Sequence, residues 1–324
     1  MQPVPADADW MAAAIALSRR GRPASAPNPN VGCLIVKGGI VVARGWTQPG
    51  GRPHAEAAAL AAAGDAARGA TAYVSLEPCA HTSPRGPACS DALIEARIAR
   101  VVVAAQDPDP RTDGNGIARL RDVGIDVVEG VMPASARVAL APWWTRQTAH
   151  RPFVTLKLAT SLDGCIARAD GSSRWITGDR ARAHGHLERA QHQAILIGRG
   201  TLAADDPKLD VRLPGLEARS PKRLLLTRGI APPGWTAVGS PEAIDGVDSV
   251  LVEGGAGAAS AFLAADRVDR LLLYRAPILI GGGKPALGDI GLTDLAEAHG
   301  RWRLADSRLL GSDRLDVYER FREG

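Results

Sequence analysis

LEPCAHTSPRGPACSDAL, residues 76–93, places Cys79 and Cys89 ten positions apart, and the alanine-rich HAEAAALAAA, residues 54–63, supplies His54 and Glu56 upstream. One imidazole, two thiols and a nearby carboxylate form a zinc donor set. The metal takes nitrogen and sulfur ligands tetrahedrally, and three protein ligands leave a fourth position for water, as in catalytic rather than structural sites. Water held there becomes acidic enough to react at neutral pH. Residues 54–63 have high helix propensity. Cys79 and Cys89 are each expected just before or at the start of a helix, where the positive dipole end favours thiolate over thiol. Glu56, two residues after His54, is the natural proton carrier. Packed thiols at 79 and 89 with a surface His54 are the plain alternative. A structural zinc site would need a fourth protein ligand, for which only His81 is near.

Outward from this stretch the pattern alternates. Residues 10–17 predict a helix, ended by Gly21 and the turn Ala26-Pro27-Asn28-Pro29-Asn30. Residues 31–36 and 40–43 are branched apolar runs joined at Lys37-Gly38-Gly39, a hairpin signature. Strands are predicted at 72–75, 101–104 and 126–128, with helices at 90–96 and 117–122 between them, which argues for an α/β layered sheet. A helix-like segment carrying Trp143-Trp144 is followed by a polar stretch, residues 145–151, where the domain boundary is placed, giving domains 1–147 and 148–324. The second half predicts strands at 153–158, 194–197, 224–227 and 250–252 and a helix at 179–191, again α/β. No internal repeat relates the halves.

The chain has 324 residues, 45% hydrophobic and 23% charged, enough for two ordinary domains. Its net charge of +4, from 39 basic and 35 acidic residues, is spread without a Lys/Arg block, so no nucleic-acid partner is expected. Most of the positive charge is arginine, which suits a phosphorylated small substrate. The four cysteines are not needed as disulfides in a chain of this size. MQPVPADADW has no basic segment leading into an apolar one, and nowhere do eighteen apolar residues run together. A cytoplasmic protein without a membrane partner is expected.

Asn28-Pro29-Asn30-Val31-Gly32, His54-Ala55-Glu56, Leu76-Glu77-Pro78-Cys79 and Cys89-Ser90-Asp91-Ala92-Leu93 resemble the bifunctional riboflavin-biosynthesis deaminase/reductase family. The resemblance implies a cytidine-deaminase-like three-layer N-terminal domain with zinc on His54, Cys79 and Cys89 and a proton shuttle at Glu56, which in zinc base deaminases is not itself a ligand. Nucleoside and tRNA deaminases of the wider superfamily place the two cysteines as Cys-x-x-Cys; the long loop here is the riboflavin-type feature, one residue longer than is common. Asn28 and Arg85 are the substrate candidates in this half, Arg85 for the phosphate, with a solvated arginine as its alternative. Trp46-Thr47 stands where the family often has an aromatic residue followed by histidine, and Asp109 where it commonly has asparagine.

In the second half, Lys157 to Gly164, Trp175-Ile176-Thr177 and Gly200 to Pro207 resemble the reductase domain of the same family, which implies a dihydrofolate-reductase-like fold and NADPH. No G-x-G-x-x-G is present. Glycine turns at 197–201 and 251–257 follow strands, and the second leads into an alanine-rich helix. The resemblance places Ala159, Trp175, Thr201, Asp205, Arg228 and the turn Gly255, Ala256, Gly257, Ala258, Ala259, Ser260 and Ala261 on the cofactor, and Ser173, Arg189, Leu209, Arg212 and Glu253 on the substrate. Trp175 in the core, Asp205 as a turn cap and Arg189 or Arg212 as solvated charges are the alternatives. Phosphorylated pyrimidines and a homo-oligomer are implied as partners. Two rival readings stand beside it: a nucleoside or tRNA deaminase with a non-catalytic second half, and a zinc-stabilised nucleotide-binding protein.

Overall fold

The computed structural model describes residues 5–322, so the first four residues of the N-terminal reading lie outside it. The chain divides into two compact units, Met1–His150 and Arg151–Gly324.

In the first unit the elements are α1 (Pro5–Ser18), β1 (Gly32–Lys37), β2 (Ile40–Trp46), α2 (Ala55–Ala63), β3 (Thr71–Val74), α3 (Cys89–Glu95), β4 (Arg100–Val103), α4 (Asn115–Asp122), β5 (Asp126–Val128) and α5 (Pro133–Ala149). The strands form one sheet, β2-β1-β3-β4-β5, antiparallel as far as β3 and parallel beyond it. The β1–β2 turn is the predicted one: Gly38 and Gly39 both take positive φ, +57° and +75°, as a two-residue hairpin turn requires.

Neighbouring strand residues point to opposite faces, and two glycines show what covers each. A Cβ on Gly32 would overlap the Ala14 carbonyl oxygen of α1; one on Gly45, which pairs with Cys33, would overlap the Ala55 carbonyl oxygen of α2. The sheet therefore lies between α1, with α5 beside it, and a layer of α2, α3 and α4. Both faces are apolar, with Ile35, Ala72, Val74, Val101, Val102 and Val103 all buried, as a sheet covered on two sides demands.

Two expectations are corrected here. The helix carrying Trp143-Trp144 does not stop before the polar stretch at 145–151: α5 runs through it to Ala149, Thr148 Oγ1 donating to the Trp144 carbonyl at 2.9 Å, and ends where His150 turns to φ +53°. Cys79 does not open a helix but lies in an irregular loop after β3. That loop is held by Glu77, 3% exposed. Its Oε1 accepts from the backbone N–H of Gly116 (2.9 Å) and Ile117 (3.3 Å), and its Oε2 from Gly114 (3.0 Å) and Asp107 (3.2 Å). A carboxylate at the start of α4 satisfies N–H groups that the helix leaves unpaired. Gly116 lets the helix approach this close, since a Cβ there would overlap the Pro78 carbonyl oxygen.

The second unit contains β6 (Phe153–Thr160), β7 (Cys165–Ala167), α6 (Asp179–Ala190), β8 (Ala194–Gly198), α7 (Arg199–Asp205), β9 (Lys222–Leu226), β10 (Thr236–Val238), β11 (Ser249–Val252), α8 (Ala256–Ala264), β12 (Arg270–Arg275), β13 (Lys284–Pro285), β14 (Trp302–Leu310) and β15 (Asp313–Arg320). Its main sheet runs β10-β9-β8-β11-β6-β12-β15-β14, parallel through β12 and closed by the antiparallel β14–β15 hairpin; β7 and β13 pair separately. Alternate β8 residues feed two clusters. Ala194 and Leu196 pack with Val250, Val252, Ala259 and Phe262, while Ile195 and Ile197 pack with Leu209, Leu225 and Leu251.

Two substitutions test this framework. Gly45→Ala forces α2 off the sheet and is expected to cost about 3 kcal/mol in urea unfolding, with a lower bound-zinc content; an unchanged midpoint would refute the close β2–α2 approach. Glu77→Ala orphans several buried N–H groups and is expected to cost roughly 3–5 kcal/mol. Glu77→Gln, which keeps one acceptor oxygen, should recover part of that loss, and equal loss from both would place the effect elsewhere.

Candidate functional site

His54 is the residue before α2, its φ −67° and ψ 165° those of an N-cap, and Glu56 is in the first turn. Cys89 opens α3. The Cys79 loop brings its sulfur onto that same helix start, where it accepts the Cys89 backbone N–H at 3.3 Å. The dipole argument therefore holds for Cys79 through space rather than through a helix of its own.

His54 Nδ1 lies 3.3 Å from Cys89 Sγ and 3.6 Å from Cys79 Sγ, and the three ligand atoms fall within 4.8 Å of one another. Zinc bound at about 2.3 Å to sulfur and about 2.0–2.1 Å to nitrogen, at tetrahedral angles, separates N and S by about 3.5 Å. The donor set fits that ion. The electrostatics agree: the Cys89 thiol donating to Cys79 favours the Cys79 thiolate, and the same contact, with burial, pushes Cys89 well up. A dication between them allows both to ionise. Glu56, 3% exposed, has its carboxyl pushed up to about 7 by burial, with His54 opposing and the Cys79 thiolate adding to the shift.

His54, Glu56 and Cys79 line a cavity of about 110 Å³ with Asn28, Thr47, His81, Asp107, Asp109, Arg111, Trp143 and Gln147. Asn28 stands beside the ligand, its side-chain amide 2.9 Å from His54 Nε2 and 3.0 Å from the Gly51 carbonyl. The same amide nitrogen makes both contacts, donating to the Gly51 carbonyl. Thr47 lines the cavity with its hydroxyl accepting the Val31 N–H at 3.0 Å. His81 faces the cavity, 3.5 Å from Thr112 Oγ1, rather than the metal cluster. Arg85 does not line the cavity: it is exposed and donates to the Gly50 carbonyl at 2.8 Å. Asp107, its carboxyl pushed up to about 7 by burial, was not singled out as a site residue, nor were Arg111, Trp143 and Gln147. The run Asp107-Pro108-Asp109-Pro110 is a turn signal that marked the loop without saying what it faced.

The second unit has a larger cavity, about 630 Å³, at the ends of β6 and β11. Ala159, Ser173, Trp175, Arg189, Thr201, Asp205, Arg212, Glu253 and Gly255 all line it. Trp175 is 65% exposed with Arg182 stacked 4.8 Å from its ring, so it is no core residue. Thr201 Oγ1 accepts the Gly255 N–H at 3.1 Å, joining the starts of α7 and α8. Arg189 and Glu253 are bonded to each other, Nε–Oε1 at 2.7 Å and Nη2–Oε2 at 2.9 Å. Burial would raise Glu253, but the Arg189 guanidinium holds its carboxyl below the usual range. Three expectations fail on packing. Gly255 to Ala261 is not a turn but the start of α8, and Ala258, Ala259 and Ser260 are buried, Ala258 and Ala259 apart from the cavity and Ser260 accepting from the Gly288 N–H. The Leu209 side chain is core, 5% exposed. Arg228 is exposed in the turn after β9, off the cavity lining. Lys157, His186 and Tyr274 line the cavity without having been singled out; Lys157 Nζ is 3.9 Å from Glu253 Oε2 and 5.9 Å from the Tyr274 ring centre.

Residues 5–105 match the cytidine and deoxycytidylate deaminase zinc-binding region, and residues 152–234 and 243–315 match the RibD C-terminal domain. The chain is 39% identical to the riboflavin biosynthesis protein RibD of Escherichia coli, over 95% of this chain and 97% of that protein, and 44% identical to RibD of Corynebacterium ammoniagenes, over 81% and 83%. Among solved structures, RibD of Acinetobacter baumannii aligns with a TM-score of 0.85 at 34% identity, over 98% of this chain and 99% of the other. A diaminohydroxyphosphoribosylaminopyrimidine deaminase/5-amino-6-(5-phosphoribosylamino)uracil reductase from Thermotoga maritima aligns with a TM-score of 0.86 at 32% identity, over 98% and 99%. With a zinc-binding deaminase region in its first half and a reductase domain in its second, this chain belongs to the RibD family of riboflavin-biosynthesis enzymes.

Proposed function

We propose that residues 1–147 hydrolytically deaminate 2,5-diamino-6-ribosylamino-4(3H)-pyrimidinone 5′-phosphate, and that residues 148–324 then use NADPH to reduce the ribosyl chain, giving 5-amino-6-ribitylaminouracil 5′-phosphate. The observation that carries the first step is the buried Glu56 carboxyl sharing one cavity with His54 and Cys79, whose ligand atoms cluster with that of Cys89. A binding or structural zinc site has no use for a proton carrier there.

His54, Cys79 and Cys89 hold the zinc, which when bound supplies the Lewis acidity that makes water reactive at neutral pH. Glu56 takes a proton at its carboxylate and returns it to the amino group that leaves as ammonia. Its place in the first turn of the helix that His54 caps keeps the carboxyl beside the ligands for both halves of that exchange. Asn28 lies against His54 and, with His81 and Asp107, offers polar groups to the pyrimidine edge.

For the second step the supporting observation is the larger cavity at the carboxyl ends of parallel strands, where open α/β sheets bind ligands. Ala159, Trp175, Thr201, Asp205 and the Gly255 end of α8 would hold NADPH, which when bound supplies hydride to the ribosyl C1. Ser173, Arg212 and the Arg189–Glu253 pair would hold the substrate, Arg212 being the exposed cation for its phosphate. A homo-oligomer is part of this proposal. Among the described residues no helix is long and apolar enough to cross a membrane.

Glu56→Gln should abolish ammonia release while zinc content and NADPH oxidation on deaminated substrate persist; loss of the metal instead would sink the assigned role. Arg212→Ala should raise the reductase KM about tenfold with little change in kcat. An unchanged KM would make Arg212 a solvated charge.

A further inference from the structure

The deaminase cavity has an electrostatic problem. Its lining includes four acidic residues, Glu56, Glu77, Asp107 and Asp109, while the substrate proposed above carries a phosphate monoester with nearly two negative charges. The arginine expected to meet that phosphate, Arg85, is turned to the Gly50 carbonyl outside the lining. Arg111 is the one arginine among the described residues that does line the cavity.

Arg111 is tied to Asp109 in three ways. Its backbone N–H donates to Asp109 Oδ1 at 2.9 Å, its Nε lies 3.0 Å and 3.1 Å from the two carboxylate oxygens, and Nη2 completes the fork. Asp109 is itself fixed, its N–H donating to Asp107 Oδ1 at 2.8 Å. The guanidinium, with a side chain 68% exposed, still has Nη1 without a protein acceptor among the described residues. A fork held on one edge by a carboxylate keeps its other N–H groups in a fixed direction. Asp109 places a negative charge in the cavity, and Arg111 answers it two residues later.

We propose that Arg111, oriented by Asp109, is the cation that takes the substrate's phosphate in the deaminase cavity. This rests on the deaminase reading above. Phosphate oxygens accept from the outer edge of the guanidinium while Asp109 keeps the inner edge, and the pair leaves the loop without net charge until the phosphate arrives. Removing Arg111 alone exposes the phosphate to Asp109, so the loss should be partly reversed by removing the Asp109 charge as well.

The test follows ammonia release from the phosphorylated pyrimidine and from its dephosphorylated counterpart, with zinc content measured on every variant. Arg111→Ala should raise KM about tenfold for the phosphorylated substrate, hold kcat within about twofold, and leave KM for the dephosphorylated one unchanged. Arg111→Ala with Asp109→Asn should recover part of the loss. An unchanged KM, or an equal rise for both substrates, would mean that Arg111 only closes its own turn. A larger rise from Arg85→Ala would move the phosphate to the other loop and overturn the inference. If the zinc-loaded wild type releases no ammonia from either substrate, the deaminase reading itself fails and takes this one with it.

Discussion

The first half of the molecule depends on one buried carboxylate. Glu77 accepts four backbone N–H groups from the segment between Asp107 and Ile117, and it does so one residue before Pro78-Cys79. An ionised group this deeply buried is tolerable only when its oxygens are saturated with donors, and the start of α4 supplies donors that would otherwise be orphaned. The two needs answer each other. Their common solution fixes the metal-ligand loop against the loop that carries Asp107, Asp109 and Arg111, so the floor and one wall of the cavity are positioned by a lining residue whose two oxygens are taken up by the backbone.

The opposite wall depends on absence. Gly45 has no side chain, and α2 therefore lies directly on β2, with His54 at its start and Glu56 in its first turn. Position along the helix does the rest. His54, still extended, turns its ring outward to the sulfurs, while Glu56 is carried under it into the buried layer. The desolvation that raises the Glu56 carboxyl is thus a consequence of helix packing and not of a special neighbour, which is why the first and largest influence on it is burial.

Period and chemistry made parts of this legible in advance. The alternation of branched runs with alanine-rich helices marked β1, β3 and α2 to within a residue, because the central strands are apolar on both faces, while β2 runs three residues past its expected end, through exposed Arg44 to Trp46. The metal ligands were legible because few other roles need imidazole and thiols in that order. The β14–β15 hairpin was not: its residues alternate arginine and aspartate with leucine, and nearly all of β14 is exposed, so no apolar run announced it. Gly311-Ser312 between the strands was the available turn signal. Arg111 was hidden for another reason. An arginine after a Pro-rich turn reads as a charge without a direction, and only the Asp109 contact and the cavity give it one. Carry-over along a motif reached residues that the sequence pattern does not show to be buried, Leu209 and Ala258 to Ser260, none of which lines the cavity.

Both cavities meet anionic substrates with arginines already paired to acids, Arg111 with Asp109 and Arg189 with Glu253. The pairs differ in burial, and that difference decides what each can do. Glu253 is 8% exposed and Arg189 14%, so their two hydrogen bonds are made in a poorly solvated setting; removing either partner would strand a charge, and the pair is best suited to fixing geometry. The Arg111 side chain is 68% exposed, and water already solvates its outer edge. Replacing that water by phosphate asks for little desolvation, while Asp109 removes most of the entropic cost of orienting the fork. The paired arginine at the rim meets the phosphate with its fork already aimed, against the repulsion of its own carboxylate, whereas the paired arginine in the buried wall is a strut.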